Sequence, residues 1–343
     1  MQATTIGLDL AKNIFQIHGL DAEGTIVIRK RLGRSGLLAF FSNLPRCVVG
    51  MEACATAHYW ARELLAIGHQ VKLMPPAYVK PYLKRGKNDA ADAEAICEAV
   101  MRPTMRFVPV KSAEQQSLLM LHRSRDLLIR QRTMLANALR GHFAELGVVV
   151  AQGIRNLPKL AEIIHDDADT RIPALARHAL GLLVTQIQDL QGRINELERA
   201  LLACHRANET SRRLESIPGV GFISATAIAA TVTDPSQFRS GRQFAAWLGL
   251  VPRQNSSGGK DRLGRISKMG DRYLRRLLVV GATALIRFAR NRKTSLAEWA
   301  DKLLSRRPAR LVSVALANKI ARVVWAVLVR GGYYRLQVAA GPA

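Results

Sequence analysis

Five short β-rich runs lie before Pro75, and the way helices interrupt them narrows the fold class more than any other feature of the chain. Thr4–Leu10, Ile14–Leu20 and Thr25–Leu32 follow one another with no helical pattern between them. Helical stretches at Gly36–Leu44 and Ala57–Ile67 then separate Cys47–Met51 and Val71–Met74. A doubly wound α/β fold alternates from its first strand. Three strands in succession and then alternation predict an RNase H-like α/β domain.

From Ser112 the pattern turns to long helix. Ser112-x-x-Gln115 is a capping box opening a run to about Leu146. A second helix carries Leu183, Ile187, Leu190, Ile194, Leu197, Leu201 and Cys204 at heptad spacing with Glu and Arg on its flanks. That seam suits either an antiparallel hairpin within one chain or a dimer contact. A third region begins near Leu214 and is helical with glycine-rich breaks. The length of 343 residues accommodates this division at about 150 residues per domain. The expected boundaries are 1–105 for the α/β domain, 106–210 for a helical coiled-coil linker and 211–343 for a mainly helical C-terminal domain.

Charge indicates the partner. Lys+Arg 51 against Asp+Glu 26 leaves +25, while 48% hydrophobic residues exclude a disordered chain. From Gly241 to Ala343, 21 Lys/Arg face Asp261, Asp271, Glu298 and Asp301, a net of +17. A surplus this concentrated points to a polyanion, because each phosphate neutralised releases a counterion. The N-terminus lacks a signal-peptide pattern, and Asn318, Lys319 and Arg322 interrupt the apolar run from Leu311 to Val329. Cys47, Cys54, Cys97 and Cys204 form no CxxC pair and are expected to be reduced core thiols of a cytoplasmic protein.

Three constellations carry chemistry. The first is acidic. Asp9 interrupts the apolar run IGLDLAK, Glu52 ends CVVGME, and Asp89 and Asp92 lie three apart in KNDAADAEAI, on one helix face. A carboxylate in a buried strand is costly unless a cation or a hydrogen-bond network compensates it. Four such oxygen donors without a thiolate suit Mg²⁺ or Mn²⁺, in the two-cation arrangement used for phosphoryl transfer. The plainer alternative makes Asp9 a turn residue and Asp89 a helix N-cap. Glu94 and Glu98, in the same helix, read as solvated.

The second is Ser216-Ile-Pro-Gly-Val-Gly, leading into an apolar helix. This is the sequence form of a helix-hairpin-helix, in which Gly219 and Gly221 let backbone N–H groups approach a DNA phosphate. A plain helix connector is the alternative. The third runs from Leu248 to Leu278 and sets Ser256 and Ser257 among glycines and Arg253, Lys260, Arg262, Arg265, Lys268, Arg272, Arg275 and Arg276. Such a loop suits close phosphate approach, with the hydroxyls either donating hydrogen bonds or attacking.

In order, GLDLAK, VVGMEA, KNDAADAEAI, SIPGVG and GLVPRQNSSGGKDRLGRISKMGDRYLRRLL resemble the transposases of the IS-one-ten family of bacterial insertion sequences, over nearly the whole chain. The resemblance implies a RuvC-like DEDD domain, a coiled-coil linker and a C-terminal transposase domain. It places the metal-binding acidic set on Asp9, Glu52, Asp89 and Asp92 and the nucleophilic serine on Ser257. Ser256 stands where many relatives carry Asp, which leaves the serine register open by one residue. The resemblance further implies Mg²⁺, a covalent serine–DNA intermediate at a composite site, guidance by a noncoding bridge RNA, and dimers that pair into tetramers. Two other readings stand beside it: a metal-dependent nuclease of the junction-resolvase type with no covalent intermediate, and a basic scaffold that only binds nucleic acid.

Overall fold

A computed structural model describes residues 2–83, 89–256, 258–260, 262–288 and 294–335, with the side chains of residues 89 and 288 excepted. The chain divides into two compact units, Met1–Gln116 and Ser117–Ala343.

The first unit is built on a five-stranded sheet in the order β3-β2-β1-β4-β5. β1 (Thr5–Asp9), β2 (Ile14–Leu20) and β3 (Ile26–Gly33) form an antiparallel meander. Its second turn is tied by the Asp21 carboxylate, which accepts from the amides of Glu23 at 3.1 Å and Thr25 at 2.7 Å. α1 (Leu37–Ser42) then leads to β4 (Val48–Glu52), and α2 (Ala57–Ala66) to β5 (Gln70–Met74), both strands parallel to their inner neighbours. This is the expected RNase H-like domain, with strand ends within a few residues of those read from the sequence.

Alternation along β1 and β4 explains the two faces of the sheet. Ile6, Leu8, Val49 and Met51 pack with Phe15, Phe41, Trp60 and Leu64 in one core. The other side holds α3 (Pro76–Val79) and α4 (Asp89–Val100), whose Val79, Ile96 and Val100 share a second core with Met74.

α5 (Ala113–Glu145) opens on the capping box, with Gln115 N–H donating to Ser112 Oγ at 3.2 Å and Ser112 N–H to Gln115 Oε1 at 2.9 Å. In the second unit α5 runs antiparallel to α7 (Ala174–Ala207), with α6 (Leu157–His165) packed alongside. Arg125 donates to Glu198 at 2.6 and 2.8 Å, and one helical stretch further on Arg132 donates to Gln191. The buried stripe of α7 is Leu180, Val184, Ile187, Leu190, Ile194, Leu201 and His205. It overlaps the heptad seam but departs from it at both ends. α6 adds Leu157, Leu160 and Ile164 to the core and so widens the apolar face beyond a two-helix seam. Of the seam residues, Ile187 and the partly buried Leu183 pack within the chain against α5 and α6.

The C-terminal part comprises α8 (Glu209–Glu215), α9 (Phe222–Thr231), α10 (Gly241–Trp247), the hairpin β6 (Pro252–Gln254) and β7 (Leu263–Ile266), α11 (Arg272–Phe288), α12 (Ser295–Leu304) and α13 (Ala309–Arg330). By length and composition α13 is long and apolar enough to cross a membrane, despite the polar residues expected to interrupt it. Here its Val312, Leu316, Ile320, Val324 and Val327 are buried in the C-terminal core.

Candidate functional site

The register of the central strands places the acidic residues. Leu8 pairs with Met51 across the parallel β1–β4 ladder, so Asp9 and Glu52 are the next residues along neighbouring strands. Both are half-buried at the strand ends. α4 brings Asp92 to the same place, because it lies directly on the sheet over two glycines. A Cβ on Gly7 would come within 2.1 Å of the Ala93 carbonyl and 2.5 Å of the Cys97 amide, and one on Gly50 within 2.8 Å of Val100 Cβ. Gly7 and Gly50 are themselves register partners. Sequence reasoning passed over both, although a glycine in the middle of an apolar strand is the usual mark of a close backbone approach.

Burial raises the Glu52 carboxyl above its ordinary range, and the charges of Asp9 and then Asp92 raise it further. A Glu52 carboxyl whose ionisation is opposed by burial and by two neighbouring carboxylates is a group that a divalent cation would neutralise, and oxygen donors suit Mg²⁺ or Mn²⁺. The described residues form no closed cage: no group of three or more His, Cys, Asp or Glu among them is positioned to hold a metal ion. The Asp89 side chain lies outside the described residues, although Asp89 opens α4 one turn before Asp92.

Cys54 and Thr56 were not foreseen at this rim. Cys47 and Cys97 are buried as expected, but Cys54 is exposed and Cys204 half-buried. β4 ends at Glu52, and the turn that follows carries Cys54 out of the core. Partial burial and then the Glu52 charge push its thiol upward, so it stays protonated. Thr56 adopts φ 72°, a left-handed conformation unfavourable for a β-branched residue, where the turn enters α2.

The serine-bearing segment proves to be the tip of the β6–β7 hairpin, closed by Asn255 N–H donating to Arg262 O at 2.9 Å. Ser256 is exposed on this tip, with Gly258 and Gly259 at φ 56° and 75°; Ser257 lies outside the described residues. Two glycines lock the hairpin base in place. A Cβ on Gly249 would meet Met269 O at 2.2 Å, and one on Gly270 would meet Trp247 O at 1.9 Å.

The basic residues divide by surroundings. Arg253, Lys260, Arg262, Arg265, Lys268 and Arg272 are exposed, with Lys268 at φ 56°. Arg275 instead donates to the carbonyls of Leu248 and Met269, each at 2.9 Å, and so fastens the hairpin base to α11. Arg276 pairs with Asp126 and lies over the Tyr273 ring.

The Ser216–Gly221 loop joins α8 to α9, with Gly221 as the α9 N-cap and Gly219 at φ 87°. The Gly219 carbonyl oxygen lies 1.9 Å from where a Cβ on Gly281 would sit, so the loop is seated on α11. Beside it opens a cavity of about 1240 Å³. The arginines on its wall are matched by acids: Arg125 pairs with Glu198, and Arg130 and Arg276 with Asp126.

A DEDD transposase family profile matches residues 6–147, and a profile described as Transposase IS116/IS110/IS902 family matches residues 211–297. A protein named "Probable family 20 transposase" from Pseudomonas aeruginosa is 50% identical over 98% of this chain and 99% of its own. The transposase for insertion sequence element IS1328 of Yersinia enterocolitica is 42% identical over 96% of this chain and 97% of its own. The transposase for insertion sequence element IS1111A of Coxiella burnetii is 40% identical over 96% and 91%.

Proposed function

This chain belongs to the IS116/IS110/IS902 family of transposases, and on that premise we propose that it excises and inserts its own insertion sequence through a covalent serine–DNA intermediate. The observation that carries the acidic half of this reading is the strand register that sets Asp9 beside Glu52, with Asp92 of α4 in the same electrostatic group. A protein that only gripped DNA would gain nothing from carboxylates that repel phosphate.

Asp9, Glu52, Asp89 and Asp92 would hold the divalent cation. When bound, Mg²⁺ or Mn²⁺ supplies Lewis-acid polarisation of a phosphodiester and neutralises the charge that develops on it. Ser257 is the nucleophile. Its Oγ forms a bond to phosphorus as one deoxyribose–oxygen bond to that phosphorus breaks, and the proton it gives up balances the one taken by the departing hydroxyl. One phosphoester replaces another, so the strand can be rejoined without a nucleotide energy source. The exposed Arg253, Lys260, Arg262, Arg265, Lys268 and Arg272 hold the DNA backbone near the hairpin tip. The Gly219–Gly221 loop, read as a helix-hairpin-helix, takes a further phosphate through backbone N–H groups.

The functional division is 1–105 for the RuvC-like acidic domain, 106–210 for the coiled-coil linker and 211–343 for the transposase domain. Dimers that pair into tetramers supply the composite site, and a noncoding bridge RNA selects the DNA. The reaction takes place on the bacterial chromosome, in the cytoplasm.

The test uses cells carrying the element with wild-type, Asp9→Ala, Ser256→Ala or Ser257→Ala protein, purified under fully denaturing conditions. DNA should remain attached to wild type and Ser256→Ala and be absent from Ser257→Ala, with Asp9→Ala losing cleavage but keeping binding. Asp9-dependent cleavage with no adduct in any sample would establish the metal-dependent nuclease in its place. An adduct lost only in Ser256→Ala would move the nucleophile by one residue.

A further inference from the structure

The residues that interrupt the apolar run of α13 have gathered at one place. Asn318 donates to the Leu250 carbonyl at 3.1 Å, Lys319 stands 4.5 Å over the Trp299 ring, and Arg322 is exposed. Lys319 and Arg322 line two adjoining cavities of about 960 and 760 Å³ on the C-terminal part of the chain. The larger also takes Arg242, Arg330 and Arg335, and the smaller takes Arg265. No Asp or Glu among the described residues lines either cavity. Among the described residues none of these six cations is in an ion pair, in contrast to the matched arginines beside the Ser216–Gly221 loop. Burial and then the neighbouring Arg322 hold the Lys319 ammonium below its usual range.

Aromatic rings are interleaved with the cations. Trp325, Tyr333 and Tyr334 line the larger cavity and Trp299 the smaller, and Tyr333 is 57% exposed between Arg330 and Arg335 in sequence. The backbone here is held in place. Gly241 lies against α13, where a Cβ would stand 3.0 Å from the Arg322 carbonyl, and Tyr334 N–H donates to Ser216 Oγ at 2.8 Å.

Cations along a groove with an exposed ring, Tyr333, suit unpaired nucleotides, whose bases stack on rings while their phosphates follow the charge. A duplex keeps its bases stacked inside and offers those rings nothing. We propose that the α13 groove, through Arg242, Lys319, Arg322, Arg330 and Tyr333, binds a single-stranded segment of DNA. The choice of DNA rests on the family reading, since a transposase acts on DNA; the rings argue for an unpaired stretch of it.

The test measures fluorescence anisotropy of labelled oligothymidylate, a duplex of equal length and an RNA of equal length with the full-length protein, as wild type, Tyr333→Ala, Tyr333→Phe and Arg322→Ala/Arg330→Ala. Tyr333→Ala should weaken oligothymidylate binding about fivefold or more and leave the duplex unchanged, with Tyr333→Phe close to wild type. The double arginine variant should lower the slope of log affinity against log salt by about 1.4, two phosphates at about 0.7 each. Unchanged oligothymidylate binding in every variant would overturn the proposal. So would losses confined to the RNA, which would give the groove to RNA, or equal losses on the duplex, which would make it a general phosphate face. Covalent adduct formation by Ser257 is read in a separate experiment, so failure of one leaves the other standing.

Discussion

Gly7 of β1 is the register partner of Gly50 of β4, and α4 rests on both. That contact brings Asp92 into the group formed by Asp9 and Glu52, so the acidic site depends on two residues that have no side chain to contribute. The two glycines are not equivalent. At Gly7 the obstructing atoms are backbone, the Ala93 carbonyl at 2.1 Å and the Cys97 amide at 2.5 Å. At Gly50 they belong to the Val100 side chain, nearest at 2.8 Å.

Gly7→Ala should therefore be the more damaging substitution. It forces α4 off the sheet, lowers the melting temperature and abolishes any stabilisation by Mg²⁺. Gly50→Ala should cost about 1–3 kcal/mol as an overpacking change, and Val100→Ala in the same chain should recover part of that by making room. Thermal melts of the two single and two double variants check this. Rescue of Gly7→Ala by Val100→Ala would refute the backbone contact.

Glu52→Gln separates electrostatic strain from folding. The native Glu52 carboxyl lies above its unfolded value through burial, Asp9 and Asp92. Its contribution to stability is therefore fully present below the unfolded value, about 4.5, and is lost as pH rises through the raised native value. At neutral pH the ionised group opposes folding of the metal-free protein. Glu52→Gln should melt higher than wild type at pH 7 without divalent ions, match it in acid, and gain less from millimolar Mg²⁺. A lower melting temperature with an undiminished Mg²⁺ shift would take Glu52 out of the acidic group.

The order of strands, the long helices and the acidic residues were legible because each writes a local pattern: period-two runs, a capping box, a carboxylate where a strand should be apolar. Contacts made by what a residue lacks were not. Gly7, Gly50, Gly249 and Gly281 act through the space they leave, and that space exists only once a second element arrives. The β6–β7 hairpin was missed because its strands, Pro252–Gln254 and Leu263–Ile266, are short and mostly exposed and have no apolar face to advertise. The heptad spacing could not name a partner, because periodicity carries no such information; its Ile187 packs with α5 and α6 of the same chain. Arg275 and Arg276 looked like their exposed neighbours, yet neighbouring carbonyls and Asp126 engage them.

His122 was likewise silent in the sequence, and it gives the sharpest pH test. The ring is 1% exposed on α5, with Nδ1 3.1 Å from Tyr273 Oη and Nε2 3.1 Å from Thr226 Oγ1. Thr226 already donates its hydroxyl to the Phe222 carbonyl at 2.7 Å, so it accepts from Nε2–H, and Nδ1 accepts from Tyr273. The neutral ring thus pins α5 to the second turn of α9 and to the start of α11, next to Arg272. Burial, and secondarily Arg125, push its pKa down to about 4 from 6.5. Between those values the unfolded chain binds a proton that the folded chain refuses, so acidification through this window should remove up to about 3 kcal/mol of stability. His122→Gln lacks that term. It should be less stable than wild type at pH 7, where the ring's hydrogen bonds are intact, and the gap should narrow steadily toward pH 4.5. Urea unfolding of both proteins across the window decides the matter: parallel curves would mean that the ring accepts its proton without leaving this pocket.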